Sequence, residues 1–276
     1  MKNIAVILVT LMLVGCKTTG TLQPIVSSNQ KAMVRDGMES LFSQRKHTVV
    51  MTPNSYTAES SGKASFIVIV SNGSSKDFLL SPSNISATAI IPNKDALENV
   101  KADSDDDTDV VPMKVTKKEE LHVYTYEELV KEEEKRAAMQ AFAIALGSVG
   151  QSMEAANAGY QSGYGTVNTY GTYGSSYGTY NYSGYDYAAA NAARSAAQAQ
   201  TNAEFSSAAA QTQTNLIGLK NTILKAHTLL PNESHGGIIQ IQMPAFSEDL
   251  SSIPIDIIVM ADDEEHNFHY SFSRDR

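Results

Sequence analysis

Two acidic stretches of this 276-residue chain carry residue types that could bind a cation. In the first, aspartates occupy every second position: Asp103, Asp105, Asp107 and Asp109. An EF-hand calcium loop also needs glycine at its sixth position and glutamate at its twelfth, which here are Thr108 and Lys114. The sequence therefore excludes an EF-hand and favours a solvated acidic loop.

The second stretch, at 262–266, offers both hard and borderline ligands for a divalent metal. Its residues are Asp262, Asp263, Glu264, Glu265 and His266, followed three positions later by His269. Side chains alternate between the two faces of a strand, so His266 and His269 would point to opposite faces. The pattern therefore predicts a polar hairpin turn without a metal.

The sequence has no other pattern typical of a catalytic centre. Four further histidines are scattered, without an adjacent nucleophile or the spacing of a zinc site: His47, His122, His227 and His235. Gly147 and Gly150 do not form a phosphate loop, because the lysine and the preceding strand of that motif are missing. We therefore expect no catalytic residue, no cofactor and no metal, and a protein that is not an enzyme.

The N-terminus has the pattern of a secretory signal. A short basic start is followed by an apolar run at 4–14, which is too short to remain as a membrane span. The next residues complete the sequence Leu13-Val14-Gly15-Cys16, which resembles the lipobox of bacterial lipoproteins. The resemblance implies that signal peptidase II removes residues 1–15 and that Cys16 carries lipid. The alternative is an ordinary leader with a cysteine there by chance.

The resemblance also bears on the location of the protein. Several acyl chains on Cys16 would hold the chain on a membrane, since each buried CH₂ contributes about 0.8 kcal/mol. In Gram-negative lipoproteins an aspartate after the cysteine resembles an inner-membrane retention signal, whereas this chain has Lys17. We therefore expect a lipid-anchored protein of the cell envelope, located at the outer membrane if the source is Gram-negative.

The charge of the chain excludes two kinds of partner. The formal net charge is −9, and the basic residues do not cluster. An acidic chain of this kind is a poor candidate for binding nucleic acid, and it would not adhere to anionic lipid head groups by charge. Cys16 is the only cysteine, so the chain cannot form an internal disulfide. Membrane attachment would thus depend on lipid.

Short apolar and alternating segments at 46–124 and 229–276 predict strands. The segment at 66–74 looks like the strand-to-turn region of immunoglobulin-like domains in bacterial lipoproteins, and 228–231 with Gly236 and Gly237 is similar to another part of them. We expect the N- and C-terminal strands to pair in one discontinuous β-sandwich, because three C-terminal strands are too few to stand alone. Residues 16–45 are expected to be a lipidated tether with a short helix near 32–42.

Between these strand regions the sequence predicts an inserted α-helical hairpin at 125–228. Thr125 and Glu128 have the spacing of a capping box at a helix start. The run at 137–149 is rich in alanine, and a second segment near 187–227 is rich in Ala, Gln, Asn and Ser. Gln140 interrupts the apolar run, so a buried helix face is favoured over entry into a membrane. The expected fold class is thus α+β: an immunoglobulin-like antiparallel β-sandwich with a long helical hairpin inserted into it, whose two helices are expected to pack as a coiled coil.

The segment at 159–187 has an unusual composition. It holds nine of the 13 tyrosines, interspersed with glycine, serine, threonine and asparagine, and Asp186 is its only charged residue. Such a segment lacks the aliphatic residues for a core of its own, so a loop is expected. Tyrosine gives a large contact area at low entropic cost, which favours a tip that contacts a protein partner or self-associates. The alternative is a flexible loop without a task.

Two functions are compatible with these observations. The first is a non-enzymatic, lipid-anchored envelope protein that presents the helical hairpin and the tip at 159–187 to a partner. The second is a subunit of an outer-membrane secretion or pore assembly. In the second case the alanine-rich helices would oligomerise and the tyrosines would meet the bilayer interface, where tyrosine is favoured.

Overall fold

The computed structural model describes residues 18–35, 37–92, 116–172, 174–247 and 250–275. These residues divide into two compact units. The β unit contains the described residues up to Glu128 and those from Asn221 onward, and the second unit is Leu129–Lys220.

The β unit is built on two six-stranded antiparallel sheets. The first sheet has the spatial order β5 (Thr57–Glu59), β1 (Thr19–Ile25), β16 (Glu264–Arg274), β15 (Ser252–Ala261), β8 (Ile85–Pro92) and β9 (Thr116–Leu121). The second has the order β10 (Val123–Tyr124), β14 (Ser234–Gln242), β6 (Lys63–Ser71), β4 (Thr48–Pro53), β3 (Met38–Gln44) and β2 (Gln30–Arg35). A separate pair joins β7 (Phe78–Leu80) to β13 (His227–Leu229), and a 3₁₀ turn spans Pro82–Asn84.

Alternating apolar residues give the two sheets a common core. On β6 the side chains of Ala64, Phe66, Val68 and Val70 are buried, and the intervening residues are less so. On β16 the aromatic rings of Phe268, Tyr270 and Phe272 are fully buried. The rings of Phe66 and Tyr270 meet edge to face across the core, with centroids 5.1 Å apart. This alternation has the period expected of strands with one buried face.

The pairing of N- and C-terminal strands is confirmed. β14 pairs with β6 along nine residue pairs, from Ser234 opposite Ser71 to Gln242 opposite Lys63. In the first sheet, β16 pairs with β1 and β15 pairs with β8. The strands that precede and follow the second unit in sequence thus form one folded body.

The predicted fold class is wrong. Of the residues that the structure describes, 49% lie in strands and 31% in helices, so the protein is mostly β. An immunoglobulin-like sandwich has seven to nine strands, whereas the two large sheets here have twelve. The helices α1 (Tyr126–Asn157) and α2 (Tyr187–Thr222) are joined not by a loop but by the strands β11 (Tyr160–Gly171) and β12 (Gly174–Tyr185). An inserted helical hairpin with a tyrosine-rich loop is therefore not what the structure contains.

The tether predicted for 16–45 is also wrong over its described part, which starts at Thr18. β1, β2 and β3 account for most of it, and each pairs within one of the two large sheets. Where a helix was expected near 32–42, β2 and β3 form a hairpin whose turn contains Gly37 with φ of +78°. Glycine adopts this left-handed conformation without steric penalty, which favours a turn there over a helix.

The start of α1 follows the predicted capping box. The Thr125 amide donates to Glu128 Oε2 at 2.8 Å, and the Glu128 amide donates to Thr125 Oγ1 at 3.3 Å. The bond from the Thr125 amide holds the pKa of Glu128 below its usual range. Two unpaired amides at the helix start are thereby satisfied, as this motif requires.

Candidate functional site

The tyrosine-rich segment forms a long antiparallel β-hairpin. β11 and β12 pair along twelve residue pairs, from Tyr160 opposite Tyr185 to Gly171 opposite Gly174. Gly174 has φ of +133°, a backbone conformation that side-chain-bearing residues rarely adopt, next to the turn. Tyrosine and threonine favour strands, which explains how a segment with almost no aliphatic residues is extended. The predicted loop is therefore corrected to a two-stranded sheet.

One face of this hairpin is lined by exposed tyrosines. Residues two apart on a strand share a face, and directly paired residues lie on the same face. By this rule the face contains five tyrosines, of which Tyr185 is partly buried opposite Tyr160. The other four are exposed, and we call them the tyrosine face: Tyr160, Tyr164, Tyr170 and Tyr177. Their exposed fractions are 72%, 81%, 84% and 68%, respectively. Serine, threonine and asparagine occupy positions between them, so the face is polar, aromatic and uncharged.

The opposite face uses tyrosine differently. Here Gly163 pairs with Tyr182, and Gly165 pairs with Tyr180. A Cβ atom at either glycine would lie less than 3.0 Å from the ring of its partner. The two rings therefore lie across the glycine backbone and cover it. These ring–backbone contacts stabilise a hairpin that has almost no aliphatic side chains to pack.

The hairpin is fixed at its base to the two helices of the second unit. The ring of Tyr185 contacts Gly159 and makes an edge-to-face contact with Tyr160 at 4.9 Å. Asp186 Oδ1 accepts the amides of Ala188 and Ala189 at 2.9 and 3.0 Å, so Asp186 is the N-cap of α2. The only charge of the segment at 159–187 thus has a structural role.

The helix α1 carries a second exposed apolar surface, which we call the α1 stripe. Its members are separated alternately by three and four residues, the spacing of a coiled-coil seam. They are Met139, Phe142, Leu146, Val149 and Met153, with exposed fractions between 58% and 66%. The sequence contains this spacing, but the many alanines between these residues make the pattern of larger apolar side chains hard to recognise.

In the β unit, a histidine and several carboxylates meet where two turns approach each other. The first turn, at 45–47, links β3 to β4, and the second, at Asp262 and Asp263, links β15 to β16. Glu264 accepts the backbone amides of Lys46 and His47 at 3.2 and 2.9 Å. Burial disfavours the charged form of Glu264, but these two amides outweigh it and hold the pKa of Glu264 below its usual range.

Lys46 completes the charge pattern of these turns. Its Nζ lies 3.3 Å from Asp262 Oδ2 and 3.4 Å from Asp263 Oδ1. The hydrogen bond to Asp262 raises the pKa of Lys46, and the pKa of Asp263 is lowered first by a backbone amide and then by Lys46. All these groups are partly or largely exposed to solvent except His47, which is fully buried.

The structure separates the two histidines that the sequence analysis considered together. His266 is fully buried and its Nδ1 lies 2.9 Å from Ser43 Oγ, whereas His269 is partly exposed and its Nδ1 lies 2.6 Å from Asp256 Oδ1. Burial lowers the pKa of His266 although Glu264 opposes the effect. The expectation that they occupy opposite faces is confirmed. His47, in contrast, had no local signal, because Glu264 lies 217 residues away in the chain.

Several predicted features lie outside the described residues. These are Cys16, Lys17 and the acidic stretch at 103–109.

The other histidines of the sequence analysis lie apart from these turns. His122 pairs with Glu128, and the stacked rings of His227 and His235 lie beside Glu233. None of the described helices combines the length and apolar character needed to cross a bilayer.

In comparisons with known proteins, no protein-family model, no curated protein and no solved structure matches this chain.

Proposed function

We propose that this protein is a lipid-anchored, non-enzymatic component of the bacterial cell envelope that binds a protein partner through the tyrosine face. The observation that carries the proposal is the exposure of four tyrosines, from 68% to 84%, on one face of an uncharged hairpin. Exposed aromatic rings are enriched at the centres of protein interfaces, where truncating one can cost 2 kcal/mol or more.

The construction of the hairpin supports this proposal. Among the described residues, β11 and β12 pair only with each other, so both strands have a free edge. A two-stranded sheet by itself is only marginally stable in water, and free edges without charged residues readily accept further strands. A partner that covers the tyrosine face or extends the sheet would therefore stabilise the hairpin as well as bind to it.

The membrane attachment rests on the lipobox-like sequence that ends at Cys16, and Lys17 favours the outer membrane in a Gram-negative source. We expect Cys16→Ser to prevent labelling by a palmitate analogue and to move the protein out of the lipid-anchored membrane fraction. Thr18→Ser, two residues away, is the control and should label normally. Normal labelling of Cys16→Ser would contradict the lipid anchor.

The tyrosine face can be tested with a triple substitution. Changing Tyr164, Tyr170 and Tyr177 to serine should abolish capture of the partner from a detergent extract of the source envelope. Circular dichroism and melting of the chain should change little, because exposed substitutions usually alter stability by within about 0.5 kcal/mol. Capture is measured with the tagged full chain as bait and quantified for the same protein band in each variant.

A matched control uses the opposite face of the same hairpin. Gln161→Ser with Thr169→Ser changes side chains on that face and should leave capture intact. If the triple variant captures the partner as well as the natural chain does, the tyrosine face is not the binding surface. A triple variant that loses capture and secondary structure together would show that the rings are structural, which also contradicts the proposal.

A second candidate function is a subunit of an outer-membrane secretion or pore assembly. The α1 stripe favours it, because an exposed seam of five large apolar side chains at coiled-coil spacing is suited to helix association between copies. The native mass of the full chain in detergent separates the two functions. A closed oligomer that dissociates on Leu146→Ser favours the assembly subunit, whereas a monomer that still captures a partner favours the first proposal.

A further inference from the structure

The turn that contains Lys46 and His47 and the turn formed by Asp262 and Asp263 bring three metal-binding side chains together. One ligand atom each from His47, Asp262 and Asp263 lies within 4.8 Å of the other two. Among the described residues this is the one set of three or more such groups that meets the criterion. The turns come from different sheets, since β3 and β4 belong to the second sheet and β15 and β16 to the first.

The imidazole of His47 is the distinctive member of this group. It is fully buried, and neither Nδ1 nor Nε2 has a hydrogen-bond partner. Its ring contacts Phe78 edge to face with centroids 4.8 Å apart, which is an apolar contact and satisfies neither nitrogen. Burying a polar atom without a partner is unfavourable, so an unsatisfied imidazole beside two carboxylates indicates a missing ligand.

We propose that His47, Asp262 and Asp263 bind a divalent transition-metal ion of the zinc class. Zinc accepts imidazole nitrogen and carboxylate oxygen at about 2.0–2.2 Å, which places neighbouring ligand atoms roughly 3.4 Å apart in a tetrahedron. The present separations of up to 4.8 Å require an inward movement of about 1 Å. Asp262 and Asp263 have side chains that are 40% and 78% exposed, so both can rotate towards the buried imidazole.

The ligand set selects among metal ions. Calcium and magnesium prefer oxygen ligands and would gain little from His47, whereas imidazole suits zinc, nickel and copper. Two carboxylates and a neutral imidazole also match the charge of a divalent ion. Three protein ligands leave a fourth position for water, as zinc sites with three protein ligands do.

The neighbouring residues have supporting roles. Lys46 Nζ lies near both aspartates, and a bound divalent ion would replace it as their positive partner. The lysine side chain is 43% exposed, so its charged end can turn into solvent. Glu264 is not a ligand in this proposal, because its two carboxylate oxygens accept the amides of Lys46 and His47. It instead fixes the backbone that carries His47 against the turn that carries the aspartates.

Metal binding at this place would connect the two sheets at one end of the core. The ion would link the β3–β4 turn to the β15–β16 turn, which the bonds to Glu264 already hold together. A ligand that binds only the folded state stabilises it in proportion to its occupancy. Bound metal would thus stabilise the β unit, and the proposed site does not depend on the function proposed for the second unit.

The test uses the full chain with Cys16→Ser, in detergent and without a histidine tag, so that neither a thiol nor a tag competes for the metal. Titration with Zn²⁺ by calorimetry should give one bound ion per chain, and Zn²⁺ should raise the melting temperature. Asp262→Asn combined with Asp263→Asn should weaken zinc binding at least about tenfold, the lower end of what supporting residues alone contribute. These two positions are exposed, so the variant should remain folded.

Two further variants distinguish this site from other histidines. His47→Asn should also weaken binding at least about tenfold, whereas His235→Ala, beside His227 and Glu233, should bind zinc as the parent chain does. The proposal is overturned if the parent chain binds no zinc, or if the double aspartate variant binds it unchanged. It is equally overturned if His235→Ala abolishes binding, or if Ca²⁺ binds as tightly as Zn²⁺ and independently of His47.

Discussion

Replacing Phe66 by alanine is expected to destabilise the β unit by about 3–5 kcal/mol. Phe66 lies on β6 of the second sheet with no exposed surface, and its ring meets Tyr270 on β16 of the first sheet at 5.1 Å. Truncation removes buried apolar area and leaves a cavity between two sheets, whose backbones are fixed by hydrogen bonds and cannot close it. Urea unfolding followed by far-UV circular dichroism measures the loss.

Two further variants test whether the loss of stability in Phe66→Ala comes from the burial of its ring. Phe142→Ala removes a ring of the same kind that is 65% exposed on α1, and it should change stability by no more than about 0.5 kcal/mol. Tyr270→Phe keeps the ring but removes a buried hydroxyl that has no hydrogen-bond partner, so it should be neutral or stabilising. A loss below about 1 kcal/mol for Phe66→Ala would contradict a core shared by the two sheets.

The features that the sequence predicted correctly depend on local patterns. The strand β6 was evident because its β-branched and aromatic residues are followed by Asn72 and Gly73, a turn signal. The capping box was evident because Thr125 and Glu128 satisfy each other within one helical turn. The pairing between N- and C-terminal strands was predicted from the number of C-terminal strands, because three strands are too few to stand alone.

The errors arose where two local patterns competed. Near 32–42, a few apolar residues have helical spacing, but Asp36-Gly37 is a turn signal and the structure has a hairpin there. In the segment at 159–187, composition indicated a loop because it lacks aliphatic residues. The hairpin forms nevertheless, because Tyr180 and Tyr182 cover glycines on the paired strand. That contact depends on register, which composition does not reveal.

The candidate sites differ in how far the sequence could predict them. The tyrosine-rich segment was predicted to be a contact surface from its composition, and the division of its rings between two faces required the hairpin register. Asp262 and Asp263 were assigned to a polar turn without a metal because His266 and His269, the histidines near them in sequence, were expected on opposite faces of a strand. His47 reaches them only because its turn and theirs are brought together by the folding of two different sheets.

The second large effect is expected from Gly73→Ala, which should destabilise the β unit by about 3 kcal/mol. Gly73 follows β6 and lies against the turn that carries Lys46 and His47. A Cβ atom there would approach the carbonyl oxygen of Lys46 to less than 3.0 Å, a distance that real Cβ atoms essentially never show. The obstacle is backbone, so no side-chain rotation can relieve it, and overpacking of this kind typically costs 1–3 kcal/mol.

The neighbouring Asn72 prevents Gly73 from moving away from Lys46. The Asn72 side chain is buried and donates to the carbonyl oxygens of Lys76 and Leu229 at 2.7 and 3.0 Å, and its backbone amide donates to the Glu233 carbonyl at 2.8 Å. Displacing Gly73 would therefore break several bonds at once. The substitution must be accommodated by strain or by shifting the turn at 45–47.

The control for Gly73→Ala is Gly150→Ala in α1, where an added Cβ would meet nothing within 4 Å. That substitution should stabilise the helix by up to about 1 kcal/mol and leave the unfolding of the β unit unchanged, because alanine favours a helix over glycine. Comparing the two by thermal and urea unfolding separates the general effect of a methyl group from the specific clash with Lys46. If Gly73→Ala has the melting temperature of the natural chain, the turn at 45–47 can shift away from the added methyl group at little cost in stability. In that case its position beside Asp262 and Asp263 is not rigidly determined by the end of β6.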